Sequence, residues 1–179
     1  MRLFWEKGYG ATSLHDLEKR MGLNRASIYN AFGNKRSLFK RCLALYVARV
    51  EAMLDNVAAT AGSAREAVKN WLAFIIDFHF SAQTPGGCLV ILSALERHQH
   101  DSETKEMVAA LFRREREVMR RVLEEGVKRG EFSADFDCGE IAGAITAASS
   151  GMVVLAMADA PVSLLQEVSR GVVRLLDGK

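Results

Sequence analysis

Apolar residues in this chain recur at intervals of three and four over almost its whole length, and that spacing restricts the fold to helices. Leu14, Leu17 and Met21 follow it, as do Ile28 with Phe32, and Leu38, Cys42 and Leu45. Val68, Trp71, Leu72, Ile75 and Ile76 repeat the pattern, then Met107, Leu111, Val118, Val122 and Leu123. No run alternates apolar and polar residues between turns, as a half-buried strand would. Only Pro85 and Pro161 interrupt, so long stretches remain free to be helical. The expected class is all-α, with helices over about 1–8, 12–20, 24–31, 35–60, 64–83, 87–99, 103–129, 138–158 and 161–177. Ser13 with Asp16, Asn34 with Ser37, Ser63 with Glu66 and Asp137 with Glu140 are start signals. Gly10, Gly22, Gly33, Gly62 and Gly130 fall where periodic segments stop.

A hydrophobic content of 49% beside 26% charged residues supports a folded core and argues against disorder. Cys42, Cys88 and Cys138 are odd in number and far apart, which argues against a disulfide framework and for a reducing, cytoplasmic setting. The apolar patch after Met1 breaks at Glu6 and Lys7, so no secretory signal is read there. The uncharged run from Ile141 to Ala158 approaches the length of a membrane span. Its Ala, Ser and Gly content fits a helix packed closely on other helices better, and no membrane partner is expected. Charge is uneven. Residues 1–50 hold ten Lys/Arg against three Asp/Glu, while the remainder holds fourteen against nineteen. A basic head on an acidic body suits contact with a polyanion through the head.

Two short helices, Ser13 to Met21 and Asn24 to Phe32, are separated only by Gly22 and Leu23. Neither is long enough to be stable alone, and Leu14, Leu17, Met21, Leu23, Ile28 and Phe32 supply a shared core. The other side of the second helix carries Asn24, Arg25, Ser27, Tyr29 and Asn30. A rigid polar tip of that kind can read base edges in a major groove. Lys19, Arg20, Lys35, Arg36, Lys40 and Arg41 flank it and can neutralise phosphates. Spacing and charge alone fit an ordinary helical hairpin equally well.

The register of specific residues goes further. Gly8-Tyr9-Gly10-Ala11-Thr12-Ser13, Leu17, Met21-Gly22-Leu23, Ile28-Tyr29-Asn30-Ala31-Phe32-Gly33-Asn34-Lys35 and Leu38-Phe39 together resemble the DNA-binding signature of the tetracycline-repressor (TetR) family. The resemblance implies a helix-turn-helix head over residues 1–45 and a helical effector-binding and dimerisation body over 46–179. It implies phosphate contacts from Thr12, Tyr29 and Lys35, with Arg25, Ala26, Ser27 and Asn30 in the base-reading stretch. Two departures stand out. Glu18 occupies a position where many members carry a small residue, so it must loosen the helix contact or swing out. Family members also carry more chain before the stretch matching Arg2 to Gly8, so the resemblance implies an N-terminally shortened member, by roughly two turns.

The function so implied is a homodimeric transcriptional regulator, a repressor released from a double-stranded DNA operator by a small-molecule effector. The alternative is a ligand-binding or interaction dimer that has lost DNA binding. Trp71, Phe74, Phe78, Met107, Phe112 and Met119 are candidates for lining the effector pocket, although aromatics and methionines at helical spacing are also ordinary core. The small residues Ala142, Gly143, Ala147, Ser150 and Gly151, with Val154, Leu164, Leu165, Val168 and Leu175, suit a dimer face. In the run Gly86-Gly87-Cys88-Leu89-Val90, Cys88 stands at a helix start, where the backbone favours a thiolate. The segment through Glu96 resembles one in family members that sense oxidants or electrophiles, which makes Cys88 a candidate redox sensor. A small buried packing residue is the other reading.

No cofactor and no metal site are expected. His98 and His100 are spaced by two, which points them to different helix sides, and only a loop chelate with Glu96 would join them. His79 reads as a packing or pocket-edge residue and His15 as exposed. The charged run from Arg113 to Arg121 reads as a solvated face laced with ion pairs. There is no Gly-rich phosphate loop after a strand and no coherent nucleophile–base order, so no catalytic residues and no enzyme activity are expected.

Overall fold

Side-chain caps decide where most of the helices begin. The Ser13 hydroxyl accepts the Asp16 N–H and the Asp16 carboxylate accepts the Ser13 N–H, a reciprocal capping box. Asn24, Asn34, Ser63, Asp101 and Asp137 each accept the N–H three residues on, at 2.8, 2.9, 3.1, 2.9 and 2.9 Å. In the computed structural model, which describes residues 1–81, 84–85 and 87–177, the elements are all helical. They are α1 (Arg2–Ala11), α2 (Leu14–Met21), α3 (Arg25–Phe32), α4 (Lys35–Thr60), α5 (Ala64–Phe80), α6 (Leu89–Leu95), α7 (Ser102–Lys128), α8 (Cys138–Met157) and α9 (Val162–Leu175).

The sequence-predicted segments differ from these at three places. The segment 64–83 ends at Phe80, and residues 82 and 83 lie outside the described ones. The segment 87–99 contains only α6 and a single 3-10 turn over Arg97–Gln99, because Glu96 leaves the helix to bond elsewhere. Gly86, which opened the predicted Cys88 turn, also lies outside the described residues. The first helix is interrupted at Gly8, whose φ of +78° is open to glycine and strained for other residues.

Two apolar clusters divide the molecule without a gap between them. The first joins Leu3, Phe4 and Trp5 of α1, Leu17 of α2 and Ile28 of α3 to Leu38, Phe39, Leu43 and Tyr46 of α4. It continues into Leu89 and Val90 of α6 and Val108 and Leu111 of α7, so the basic head is seated on the larger bundle. The second cluster runs through α5, α7, α8 and α9, with Leu54, Leu72, Met119, Leu123, Ile145, Met152 and Leu165 at its centre. Alpha-four is one continuous helix through residue 45 and contributes to both clusters. It therefore spans both clusters as one helical element.

Helix α8 is long and apolar enough to cross a membrane by length and composition alone. Here Ala142, Ile145, Ser149, Met152 and Val153 pack on α5, α7 and α9, while Ala147, Gly151 and Val154 of the same helix are exposed. An uncovered apolar strip remains along α8 and α9, where Val154 and Leu175 are 46% and 43% exposed.

Candidate nucleic-acid interface and ligand cavity

Helix α3 is anchored from beneath by Ile28, which is 0% exposed, and its outer side is free. Arg25, Ala26, Tyr29 and Asn30 are exposed there, with Ser27 half-buried beside them. Gly22 turns the chain from α2 toward α3 in the left-handed conformation, and its N–H caps the Glu18 carbonyl. Glu18 itself swings out. Its carboxylate lies 3.9 Å from His15 and 4.0 Å from Arg25, so an acidic group sits beside the leading cation of α3.

The flanking cations are not equivalent. Lys19, Arg36 and Arg41 are exposed, and Arg20 leans toward Glu6 at 3.5 Å. Lys40 bonds Glu103 and lies 3.6 Å from Asp101, which ties it to the start of α7 and occupies it within the molecule. Lys35 is half-buried with its ammonium 4.3 Å over the Tyr9 ring. Partial burial pulls its pKa down, opposed by the nearby Glu96 carboxylate. Thr12 corrects the sequence expectation. It is fully buried and its hydroxyl donates to the Gly8 carbonyl at 2.6 Å, so it shapes the α1–α2 corner and offers no hydroxyl to a phosphate.

The segment from Gly87 to Glu96 joins this head to the body at both of its ends. Ahead of α6, the Gly87 carbonyl accepts the Trp5 indole N–H at 3.0 Å. At the far end, the Glu96 carboxylate accepts the backbone N–H groups of Tyr9 at 2.7 Å and Gly10 at 2.9 Å. A Cβ added to Gly8 would stand 2.8 Å from Glu96 Oε1, so the interrupted corner of α1 and the carboxylate are fitted to one another. His100 is wedged against the same junction, stacked at 5.1 Å on Phe39 and 5.2 Å from Tyr9. Glu96 is thus engaged with backbone amides, His98 is exposed and His100 is buried, which separates the residues of the loop chelate weighed above. Among the described residues no group of three or more His, Cys, Asp or Glu side chains could hold a metal.

Between α4, α5, α6, α7 and α8 lies a cavity with about 510 Å³ of unfilled space, counting its opening to solvent. Trp71, Phe74, Phe78 and Phe112 line it. Two other candidates do not. Met119 is fully buried in the body core two helical turns beyond Phe112, and Met107 packs on the head cluster from a different face of α7. Tyr46, Cys88 and Ser149 complete much of the wall, and Glu115 provides its acid. Reading Arg113 to Arg121 as wholly solvated missed Glu115. Glu117, Arg120 and Arg121 do form surface ion pairs, but Glu115 is only 7% exposed. Its carboxylate accepts the Trp71 indole N–H at 2.8 Å and is also bonded by Ser149. Burial pushes its pKa up to about 7, against those hydrogen bonds.

Residues 1–42 match the family described as bacterial regulatory proteins, tetR family, and residues 62–172 match tetracyclin repressor-like, C-terminal domain. The chain belongs to the TetR family. It is 26% identical over 176 residues to the HTH-type transcriptional repressor ComR of Escherichia coli K12, covering 98% of this chain and 84% of that protein. Among solved structures it resembles a cysteine mutant of the TetR family regulator CifR complexed with a 26-base-pair double-strand operator DNA. The TM-score there is 0.86 with 30% identity, over 97% of this chain and 91% of the other. A TetR regulator from Chloroflexus aurantiacus shares the fold, with a TM-score of 0.87 at 23% identity over 97% of this chain and 87% of that one. This TetR-family chain is a helix-turn-helix transcriptional regulator, and α2 and α3 are its helix-turn-helix.

In this TetR protein Cys88 is a free, half-buried thiol. It precedes α6 on the cavity wall, and burial pushes its pKa up although Tyr46 and the backbone N–H groups of Val90 and Ile91 oppose the shift. The nearby Glu115 carboxylate adds to the increase. Desolvation outweighs the pull of the helix start, which leaves the protonated thiol as the resting form.

Proposed function

We propose that the chain is a cytoplasmic homodimeric repressor that holds a double-stranded DNA operator and releases it when a small molecule occupies the cavity. It acts as a binding protein and not as an enzyme. In this reading residues 1–45 form the DNA-binding head and residues 46–179 the effector-binding and dimerising body. Arg25, Ala26, Ser27 and Asn30 read base edges, and Tyr29 and Lys35 contact phosphates. Thr12 positions the corner. The observation that carries the reading is the outer side of α3, whose polar residues are exposed while Ile28 fixes the helix from below.

The strip along α8 and α9 is the dimer face. Gly143, Ala147 and Gly151 let backbones approach, and Val154 and Leu175 add apolar area, while Ala142 and Leu165 belong to the subunit's own core. A two-fold dimer presents two α3 helices to half-sites about 34–36 Å apart. Alpha-six supplies the coupling. Val90, Ile91 and the preceding Cys88 line the cavity, and its flanks hold α1 through Gly87 and Glu96. A ligand that displaces this helix alters the placement of the head, and shifts the equilibrium only as far as its affinities for the two states differ.

A fluorescence-anisotropy titration with duplexes from the adjoining promoter tests the reading. Saturable binding by two subunits to one palindromic fragment is expected. Weak binding of equal strength to every duplex would leave the alternative, a ligand-binding dimer without operator recognition.

A further inference from the structure

The cavity is largely apolar, and among the described residues the one acid on its wall has no cation beside it. Trp71, Phe74 and Phe78 form a line of rings along α5, with centroids 5.6 and 5.3 Å apart. Glu115 reaches the same space from α7. Its hydrogen bonds come from two neutral donors, the Trp71 indole and Ser149, which leave part of the carboxylate's accepting capacity open. The arginines flanking it on α7 are turned away. Arg114 pairs with Asp55 at 2.6 Å, and Arg116 reaches the Gly139 carbonyl at 3.4 Å.

A buried carboxylate used only to hold Trp71 and Ser149 would gain nothing from being ionisable, since an amide accepts the same bonds. Its charge costs desolvation energy that no resident partner returns. The other titratable groups on the wall do not supply a counter-ion either. Burial keeps Tyr46 and Cys88 protonated and neutral, and it pushes His79 down to about 4, so its imidazole is neutral as well. A cation entering the cavity would meet an uncompensated acid on one side and aromatic faces on the other, both attractive to positive charge. An anion would meet only repulsion.

We infer that the cavity selects a small lipophilic amine, bound as its ammonium ion to the Glu115 carboxylate with its apolar body against Trp71, Phe74 and Phe78. The inference rests on the cavity being the effector site and names the chemistry that site accepts. Binding releases a fraction of a proton per site. The fraction of Glu115 that is protonated gives its proton to solvent as the ammonium arrives, and the amine keeps its own.

Isothermal titration of the full chain with three isosteric probes at neutral pH tests this. The probes are 2-naphthylmethylamine, 2-naphthylmethanol and 2-naphthoate. The amine is expected to bind once per subunit and roughly tenfold or more tighter than the alcohol, with no binding of the naphthoate. In Glu115→Gln the amine should lose most of its advantage and fall to within about twofold of the alcohol bound to the same variant. Wild-type titrations in buffers of different ionisation enthalpy give a second reading that needs no variant. With burial pushing Glu115 up to about 7, the amine should release a fraction of a proton and the alcohol none.

Equal binding of amine and alcohol, or an amine preference that survives Glu115→Gln, would overturn the cation inference. If the alcohol still binds and a cavity-filling Ser150→Phe abolishes it, the effector cavity stands and only the cation assignment fails. If no probe binds at all, both fail.

Discussion

Replacing Glu96 by alanine removes the carboxylate that joins the body to the corner of α1, and the loss can be sized from its two hydrogen bonds. The one to Tyr9 is 2.7 Å long and partly buried, and the one to Gly10 is 2.9 Å and exposed. A hydrogen bond to a charged group is worth about 1.5–3 kcal/mol where water cannot replace it, and the exposed bond adds a few tenths, so the sum is about 2 kcal/mol. For a chain of this length that corresponds to a drop in Tm of about 4–8 °C. Glu96→Gln keeps a carbonyl acceptor and should lose about half as much. Melting followed by circular dichroism measures both, and operator affinity should fall in the same order because the head is less firmly placed.

Gly8→Ala supplies the matching test. Its Cβ would meet Glu96 Oε1 at 2.8 Å and its φ is +78°, so the single change should destabilise the fold. Part of that cost should vanish when Glu96 is already alanine, giving a coupling in the double-mutant cycle. A melting temperature of Glu96→Ala within about 1 °C of wild type, with additive effects in the cycle, would refute the assignment of Glu96 as the brace.

Other outcomes follow from the same geometry. Arg25→Ala should weaken operator binding by about 1–3 kcal/mol and relax preference at one base position in a substituted-operator series, whereas uniform loss over all sequences would make Arg25 a phosphate contact. Glu18→Gln should strengthen binding, since it removes an anion 4.0 Å from Arg25. Glu115 has a folded pKa of about 7, above its unfolded value, so its ionisation opposes folding: the penalty is absent below the unfolded pKa and complete once pH exceeds the folded one. The stability of Glu115→Gln relative to wild type should therefore grow by roughly 3 kcal/mol between mildly acidic and mildly alkaline pH in urea titrations, and a flat difference would refute the shift. Cys88, whose thiol burial holds in the protonated form, should react with iodoacetamide more slowly than a free thiol in mass-spectrometric time courses. Faster reaction would restore the sensor reading.

The helix pair was legible in the sequence because its signals are local. Ser13 with Asp16 and the glycine at position 22 act within a few residues of themselves, and Ile28 is the apolar centre of a short polar helix. The α6 brace was not legible. Glu96 meets Tyr9 and Gly10 across more than 80 residues of sequence, and only the positive φ of Gly8 makes room for it. Thr12 shows how an expectation carried from a resemblance can miss, since the motif fixes the residue type but not whether its hydroxyl faces solvent or Gly8. Glu115 was hidden for a related reason. It sits among Arg113, Arg114, Arg116 and Glu117 in a helix whose polar face dominates, and a single inward acid does not disturb that periodicity. Trp71, Phe74, Phe78 and Phe112 were identifiable as apolar, yet Met107 and Met119 share that character and lie outside the cavity wall.

Dimethyl sulfate protection of guanine N7, on an operator fragment with and without the protein, probes the major groove at the place where α3 is expected to lie. Two protected clusters, about 10 base pairs apart and reduced at one guanine per half-site in Arg25→Ala, are the expected pattern. Unprotected guanines under a fragment that the protein nonetheless saturates would mean that the exposed side of α3 does not enter the groove.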